Sequence, residues 1–247
     1  MKINDFLLNK LHTRTYINGE FDKVIIAVHG FSGDSDSSVI KAIAKDLTNH
    51  RCMVITYDLP KHGKNDNTEI LNLKECLDSI KNIDKYVKDN YRGKKICWFA
   101  TSFGGYLLLN FLNDNEYKYD KVILRSPAIN MDKVIGSVIL PLHGYTLEDL
   151  TKSAINLGHE QQLLVDYTFY NDLKENRLLE KYINKNYLSV IQGKRDDIVN
   201  YLDNEKFFET TCKDSYHIYY FEEADHRFKK PGELEKIVEI TRKIICD

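Results

Sequence analysis

The apolar positions of this chain fall into short dense runs separated by polar turns, and most runs are followed by a stretch with helical spacing. Residues 24–28, 53–57, 96–100, 121–125, 187–193 and 216–221 are rich in β-branched and aromatic side chains and too short for buried helices. They are predicted as strands, several of them buried on both faces. Between them, residues 38–49 place Val39, Ile40, Ile43, Ala44 and Leu47 on one helical face, with Asp34, Ser35 and Asp36 as candidate N-caps. Further helices are predicted over 73–91 (closing at Gly93), 106–112, 200–211 and 232–246. In the last of these, Leu234, Ile237, Val238, Ile240, Ile244 and Ile245 line one face. Residues 3–20 suggest one or two strands, with Asn18-Gly19 as a turn. The rhythm breaks over 128–186, where an apolar stretch (134–142) and Gly144 precede a polar, tyrosine-bearing helical stretch (147–182).

Strands alternating with helices predict an α/β fold with a mostly parallel, doubly wound sheet. Right-handed crossovers then bring every strand-to-helix loop to one edge of that sheet. His29, Asp58, Ser102, Asp196 and His226 all lie in such loops and should converge. The organising stretch is Ala100-Thr101-Ser102-Phe103-Gly104-Gly105. It sits between a buried strand and a buried helix, and a tight turn there tolerates only small residues beside the serine. The pattern is a relaxed Gly-x-Ser-x-Gly nucleophile elbow with Ala100 in the first glycine's place. A serine hydroxyl needs a base, and the base an orienting partner. For this elbow type the chain order is Ser, acid, His. Gln192-Gly193-Lys194-Arg195-Asp196-Asp197-Ile198-Val199 follows one late strand, and Ala224-Asp225-His226-Arg227-Phe228 follows the next.

With these loops in view the chain resembles the α/β-hydrolases over nearly its full length, the middle insertion excepted. His29-Gly30-Phe31-Ser32-Gly33 resembles the family's oxyanion loop. Asp58 through Gly63 to Asp66 resembles its Asp-x-x-Gly-x-Gly-x-Ser loop, from which Lys61, His62 and Asn65 depart. Gly193-x-x-Asp196-x-x-Val199 and Ala224-Asp225-His226 are similar to its acid and histidine loops. Within the family the His-Gly-Phe loop and the size of the insertion look most like small carboxylesterases of the cinnamoyl/feruloyl type. The resemblance implies Ser102 as nucleophile, His226 as general base and then acid, and Asp196 as the carboxylate orienting His226. It also implies the backbone N–H groups of Phe103 and Phe31 as oxyanion donors. Residues 1–127 and 187–247 would form the hydrolase core, and 128–186 a small, mainly helical cap. Ile135, Ile139 and Leu142 would line the cap's pocket, with Tyr167 and Tyr170 at its polar edge.

Competing residues have other readings. Asp197 rivals Asp196, or else caps the following helix. His217 lies within a strand and reads as a satisfied structural histidine. His29 reads as a loop former, Asp58 as a loop anchor, His62 as solvated and Asp225 as a loop shaper. The histidines offer no His-Glu-x-x-His or comparable ligand set, so neither a metal nor another cofactor is expected. A net charge of −2 gives no reason to expect nucleic acid, and no apolar run approaches the ~18 residues of a membrane span. The N-terminal residues lack the pattern of a signal peptide, and the five cysteines form no CxxC pair, so a reducing cytoplasm is expected. The expected function is ester hydrolysis of a small molecule through an acyl-enzyme. A thioesterase or acyltransferase is the enzymatic alternative, and a non-catalytic binding protein of the same fold the alternative from another class.

Overall fold

The computed structural model describes residues 1–65, 68–180, 182–183 and 185–247. Its first half runs β1 (Lys2–Leu8), β2 (Leu11–Ile17), β3 (Lys23–Val28), α1 (Ser38–Leu47), β4 (Cys52–Tyr57), α2 (Leu73–Asn90), β5 (Lys95–Thr101), α3 (Phe103–Asn113) and β6 (Lys121–Arg125). The middle segment holds α4 (Met131–Val134), a π-turn (Ile135–Ile139), α5 (Leu140–Leu142), α6 (Leu147–Lys152), the small hairpin β7 (Ile155–Asn156) and β8 (Leu164–Val165), and α7 (Tyr167–Glu175). The chain closes with β9 (Leu188–Gly193), α8 (Tyr201–Thr211), β10 (Tyr216–Phe221) and α9 (Glu233–Cys246).

Eight strands form one sheet in the order β1-β2-β4-β3-β5-β6-β9-β10. Strands β4, β3, β5, β6, β9 and β10 are parallel to one another, while β1 and β2 add an antiparallel edge. The central strands are apolar along most of their length because each feeds two cores at once. In β3, Ile25 and Ala27 join the layer under α1 and α9, whereas Val24, Ile26 and Val28 join the layer under α2 and α3. In β5, Cys97 and Phe99 go one way, and Ile96, Trp98 and Ala100 the other. That partition is the two-residue period of a strand carried through a sheet covered on both sides. Each fully buried Ile, Leu or Phe contributes about 1.5–3 kcal/mol.

The turn expected at Asn18-Gly19 lies between β2 and β3, with Gly19 at φ 76°, and a second tight turn, at Asn9-Lys10, closes the β1–β2 hairpin: both residues have positive φ (50° and 70°), and Leu8 pairs with Leu11 across it. That is the backbone a two-residue hairpin turn requires. The helical stretch expected over 147–182 is broken into pieces. Thr146 caps α6 in a reciprocal box with Asp149, Asp166 caps α7 through the Phe169 N–H, and the β7–β8 hairpin lies between them. Asn156 Oδ1 holds that hairpin's turn, accepting from Gly158 N (3.0 Å) and Leu163 N (2.8 Å). Two capping residues start two helices, and the tyrosines between them do not fuse them.

A tight packing constraint lies beneath the β5–α3 turn. A Cβ on Gly104 would overlap the His29 carbonyl oxygen and meet Val28 Cγ1 at 2.9 Å, and one on Gly105 would meet Pro127 Cβ at 2.8 Å. Gly104→Ala is therefore expected to destabilise the fold by about 1–3 kcal/mol, the usual cost of overpacking. Urea unfolding should report this as a lower midpoint at unchanged slope, and a midpoint equal to wild type would contradict the crowding.

Candidate active site

Ser102 occupies the bend between β5 and α3 with φ 52° and ψ −115°. A non-glycine residue in that region carries about 1–3 kcal/mol of strain and persists only where its surroundings hold it. Here they do. The Ser102 N–H donates to the Arg125 carbonyl (2.9 Å), and its own carbonyl accepts from Tyr106 N (3.1 Å) and Ala128 N (3.1 Å). Glycines on the α3 side let the helix start directly against the His29–Gly33 loop. The hydroxyl is lifted off the sheet edge into a cleft, although the residue is only 8% exposed.

The histidine loop brings His226 Nε2 to 3.1 Å from Ser102 Oγ. On the other side of the ring, Nδ1 lies 2.9 Å and 3.0 Å from the two Asp196 oxygens. A carboxylate can only accept, so Nδ1 carries the proton and Nε2 faces the serine as a lone pair. Asp196 Oδ1 also accepts from Ile198 N (3.0 Å) and Val199 N (2.7 Å). Burial pushes the Asp196 carboxyl up; the hydrogen bond and charge of His226 and the Val199 N–H outweigh it, so the group titrates below its ordinary range. Asp197 does not meet the imidazole ring. Its Oδ1 accepts the His226 backbone N–H (3.3 Å), and Asp225 Oδ1 accepts the Arg227 N–H (2.9 Å), so both carboxylates shape the loop.

The loop after β3 is built around a neutral histidine. His29 Nδ1 donates to the Gly30 carbonyl (2.8 Å) and Nε2 accepts the Leu59 N–H (3.0 Å). That pair of contacts needs one proton on the ring, and burial lowers the His29 pKa accordingly. A turn closed by Gly33 N to Gly30 O (3.1 Å), with Ser32 at φ 57°, then carries Phe31 over the elbow. The Phe31 and Phe103 rings meet edge to face at 5.8 Å, so the two candidate donors share one packing contact. Phe103 is the first residue of α3, where a backbone N–H has no partner within the helix. Asp58 anchors the next loop by accepting from Ser35 N (2.7 Å) and Lys64 N (2.8 Å). Asp66, included in the sequence comparison of that loop, lies outside the described residues.

A family model described as serine aminopeptidase, S33 matches residues 19–178. The chain belongs to that family. It is an α/β hydrolase, and solved structures share its fold along nearly its whole length. A ferulic-acid-bound Est1E from Butyrivibrio proteoclasticus superposes with a TM-score of 0.80 at 18% identity, over 98% of this chain and 97% of that one. Alpha/beta hydrolase domain-containing protein 10 from mouse gives 0.76 at 14% identity, over 99% and 98%. The monoacylglycerol lipase of Paleococcus ferrophilus gives 0.71 at 16% identity, over 96% and 99%. A search of the curated proteins found no match.

In this hydrolase the elbow opens into a cleft of about 920 Å³. Ile139 and Leu142 line it from the middle segment, together with Met131, Val134, Leu157 and Leu163. Ile135, Tyr167 and Tyr170 do not. Ile135 is wholly buried in the core, Tyr167 faces solvent, and Tyr170 packs its ring 3.3 Å from the Cβ position of Gly136. Ile135 opens the wide π-turn over Ile135–Ile139, which rotates it off the face a regular helix would give it, whereas Tyr167 and Tyr170 sit on the separate helix α7. His217 is also misplaced by its sequence reading: it is exposed on edge strand β10, against the Tyr219 ring at 4.4 Å.

Three residues at the cleft went unrecognised in the sequence. Arg125 is 7% exposed; it donates to the His226 carbonyl (2.9 Å) and lies 4.7 Å from the Phe228 ring centroid, clamping the histidine loop from beneath. Burial lowers its pKa to about 10. The signal was available, since a charged residue closes strand β6 at the edge where Ser102 emerges. His159 and Arg227 tie the middle segment to the core: His159 N donates to Ser32 Oγ (3.1 Å), and Arg227 approaches His159 Nε2 (3.3 Å). Nothing local in the sequence marks that tie.

His62 is buried rather than solvated. Nδ1 donates to the Pro60 carbonyl (2.8 Å), and burial, reinforced by the neighbouring His29, lowers its pKa to about 3. Unfolding returns it to the ordinary histidine value of ~6.5, so the unfolded chain binds the extra proton first. Stability is full above pH ~6.5 and is lost as pH falls towards 3, by about 1.4 kcal/mol per unit for this group alone. Urea midpoints measured from pH 7.5 to 4.5 should fall more steeply in the wild type than in His62→Gln. Parallel slopes would contradict this assignment.

Proposed function

We propose that the protein is a serine hydrolase that cleaves carboxylic esters through an acyl-enzyme. The observation that carries this reading is the continuous chain from Ser102 Oγ through His226 to the Asp196 carboxylate, at 3.1 and 2.9 Å, beside the His29–Gly33 loop. Ser102 Oγ attacks the ester carbonyl while His226 Nε2 takes its proton, and Asp196 steadies the imidazolium. The developing oxyanion is met by the Phe31 and Phe103 N–H groups, each worth about 3–4 kcal/mol to the transition state. As the tetrahedral species collapses, His226 returns the proton to the departing alkoxide. A water then enters, loses a proton to His226 and releases the acid.

Residues 128–186 serve as the cap, and the apolar wall of Met131, Val134, Ile139 and Leu142 receives the acyl part. A solved relative in fold carries ferulic acid, which supports hydroxycinnamoyl esters as the first substrates to try. Three measurements decide the reading. A fluorophosphonate probe is expected to label the folded protein at Ser102 and to miss Ser102→Ala. Asp196→Asn is expected to lower kcat on p-nitrophenyl esters by about 10³- to 10⁴-fold. Folded wild-type protein that takes no label would sink the proposal, and a preference for acyl-CoA over oxygen esters would move it to a thioesterase.

A further inference from the structure

Asp196 has a neighbour from outside its own loop. Gln192, near the end of β9, is fully buried, and its amide is bound on three sides. Nε2 donates to Asp196 Oδ2 (3.2 Å) and to the Gly193 carbonyl (3.1 Å), while Oε1 accepts from Asn204 Nδ2 (2.8 Å). Asn204 comes from α8 and is also fully buried. The direction of this chain is set from one end. An ionised carboxylate only accepts, so it turns the NH₂ of Gln192 towards itself, and Oε1 in turn draws the NH₂ of Asn204. The far terminus, Asn204 Oδ1, is a buried acceptor with no partner among the described residues, at the wall of a second cavity of about 190 Å³.

Packing does not account for this pair. Leucines at both positions together would fill similar space with no amide left to satisfy, whereas a buried amide oxygen without a donor is a cost to stability. What the chain delivers is one aligned donor at Asp196 Oδ2. Oδ1 already holds the Ile198 and Val199 N–H groups, so Gln192 balances the carboxylate on its other oxygen.

We propose that Gln192, backed by Asn204, is a positioning residue for the triad: it holds the Asp196 carboxylate square to His226 and draws off part of its charge. This rests on the serine-hydrolase reading above. Without the Gln192 donor, more of the charge on Oδ2 falls to His226, with only the Ser126 hydroxyl and the Arg125 guanidinium, itself close to Asp196 and Asp225, left to share it. The imidazolium is then favoured, and His226 holds its proton to higher pH.

The test is steady-state kinetics on p-nitrophenyl butyrate across pH. Gln192→Leu is expected to lower kcat about tenfold with KM within about twofold. It should also move the acidic limb of kcat/KM, which reports the free enzyme's base, upward by about half a unit or more. Gln192→Glu is the conservative counterpart. Protonated, it still donates to Asp196; ionised, it repels that carboxylate, so it should gain an alkaline limb that the wild type lacks. Should Gln192→Leu fail to fold, the Glu variant decides by that limb alone. Variants that lose thermal stability yet keep the wild-type acidic limb and gain no alkaline one would overturn the positioning role. Fluorophosphonate labelling separates the two readings. A labelled wild type with unmoved limbs removes only this inference, and an unlabelled one removes the triad and this inference together.

Discussion

The contact between α3 and the loop after β3 governs much of this molecule. At Gly104 there is room for a hydrogen and nothing more, because the His29 carbonyl and Val28 occupy the place of a side chain. That approach seats the helix start against the His29–Gly33 loop and leaves Ser102 in a backbone region serine would not choose. The strain is distributed through neighbours that cannot yield: the Arg125 carbonyl on one side, Ala128 and Tyr106 on the other. Phe31 and Phe103 are thereby fixed to each other through their rings. A bend that brings a hydroxyl and two candidate donors to one point follows from backbone crowding more than from any side-chain contact.

Environment then gives similar side chains different tasks. His29 and His62 are both buried with a carbonyl on Nδ1, and both are held neutral by burial. They serve as rigid hydrogen-bonding pieces. His226 shares the ring chemistry but faces a carboxylate on one nitrogen and a hydroxyl on the other. The carboxylates divide in the same way. Asp58, Asp197 and Asp225 hold backbone N–H groups, while Asp196 combines two such bonds with the imidazole. Position relative to the sheet edge separates the groups that meet Ser102 from those that only hold backbone.

The central strands and flanking helices were legible because burial on two faces leaves an unbroken apolar run, which no other element of that length produces. Ser102, Asp196 and His226 were readable as strand-end residues in a fixed order. The middle segment was not, for a physical reason. Its packing depends on a π-turn and on caps at Thr146 and Asp166. A hydrophobic period of 3.6 residues does not foresee a local widening of the helix, so Ile135 was assigned to the cleft, and it does not foresee the fresh start of α7 at Asp166, which sets where Tyr167 and Tyr170 point. Contacts across long sequence separations, such as His159 to Ser32 and Arg125 to His226, leave no local trace. His62 was misread because a polar loop usually lies in water, and this one is folded under the Phe31 ring.

The division of each central strand between two cores has a consequence for how such a chain can vary. Adding or deleting one residue inside β3 or β5 would exchange the side chains destined for the two layers, so the whole register would fail at once. The same change at a strand's C-terminal end, or in the loops of 128–186, leaves the register of the eight-stranded sheet intact and alters mainly the shape of the cleft. Tolerance to insertion and influence on substrate choice therefore lie in the same segments. Relatives at 14–18% identity that keep the fold over nearly their whole length are what that separation permits.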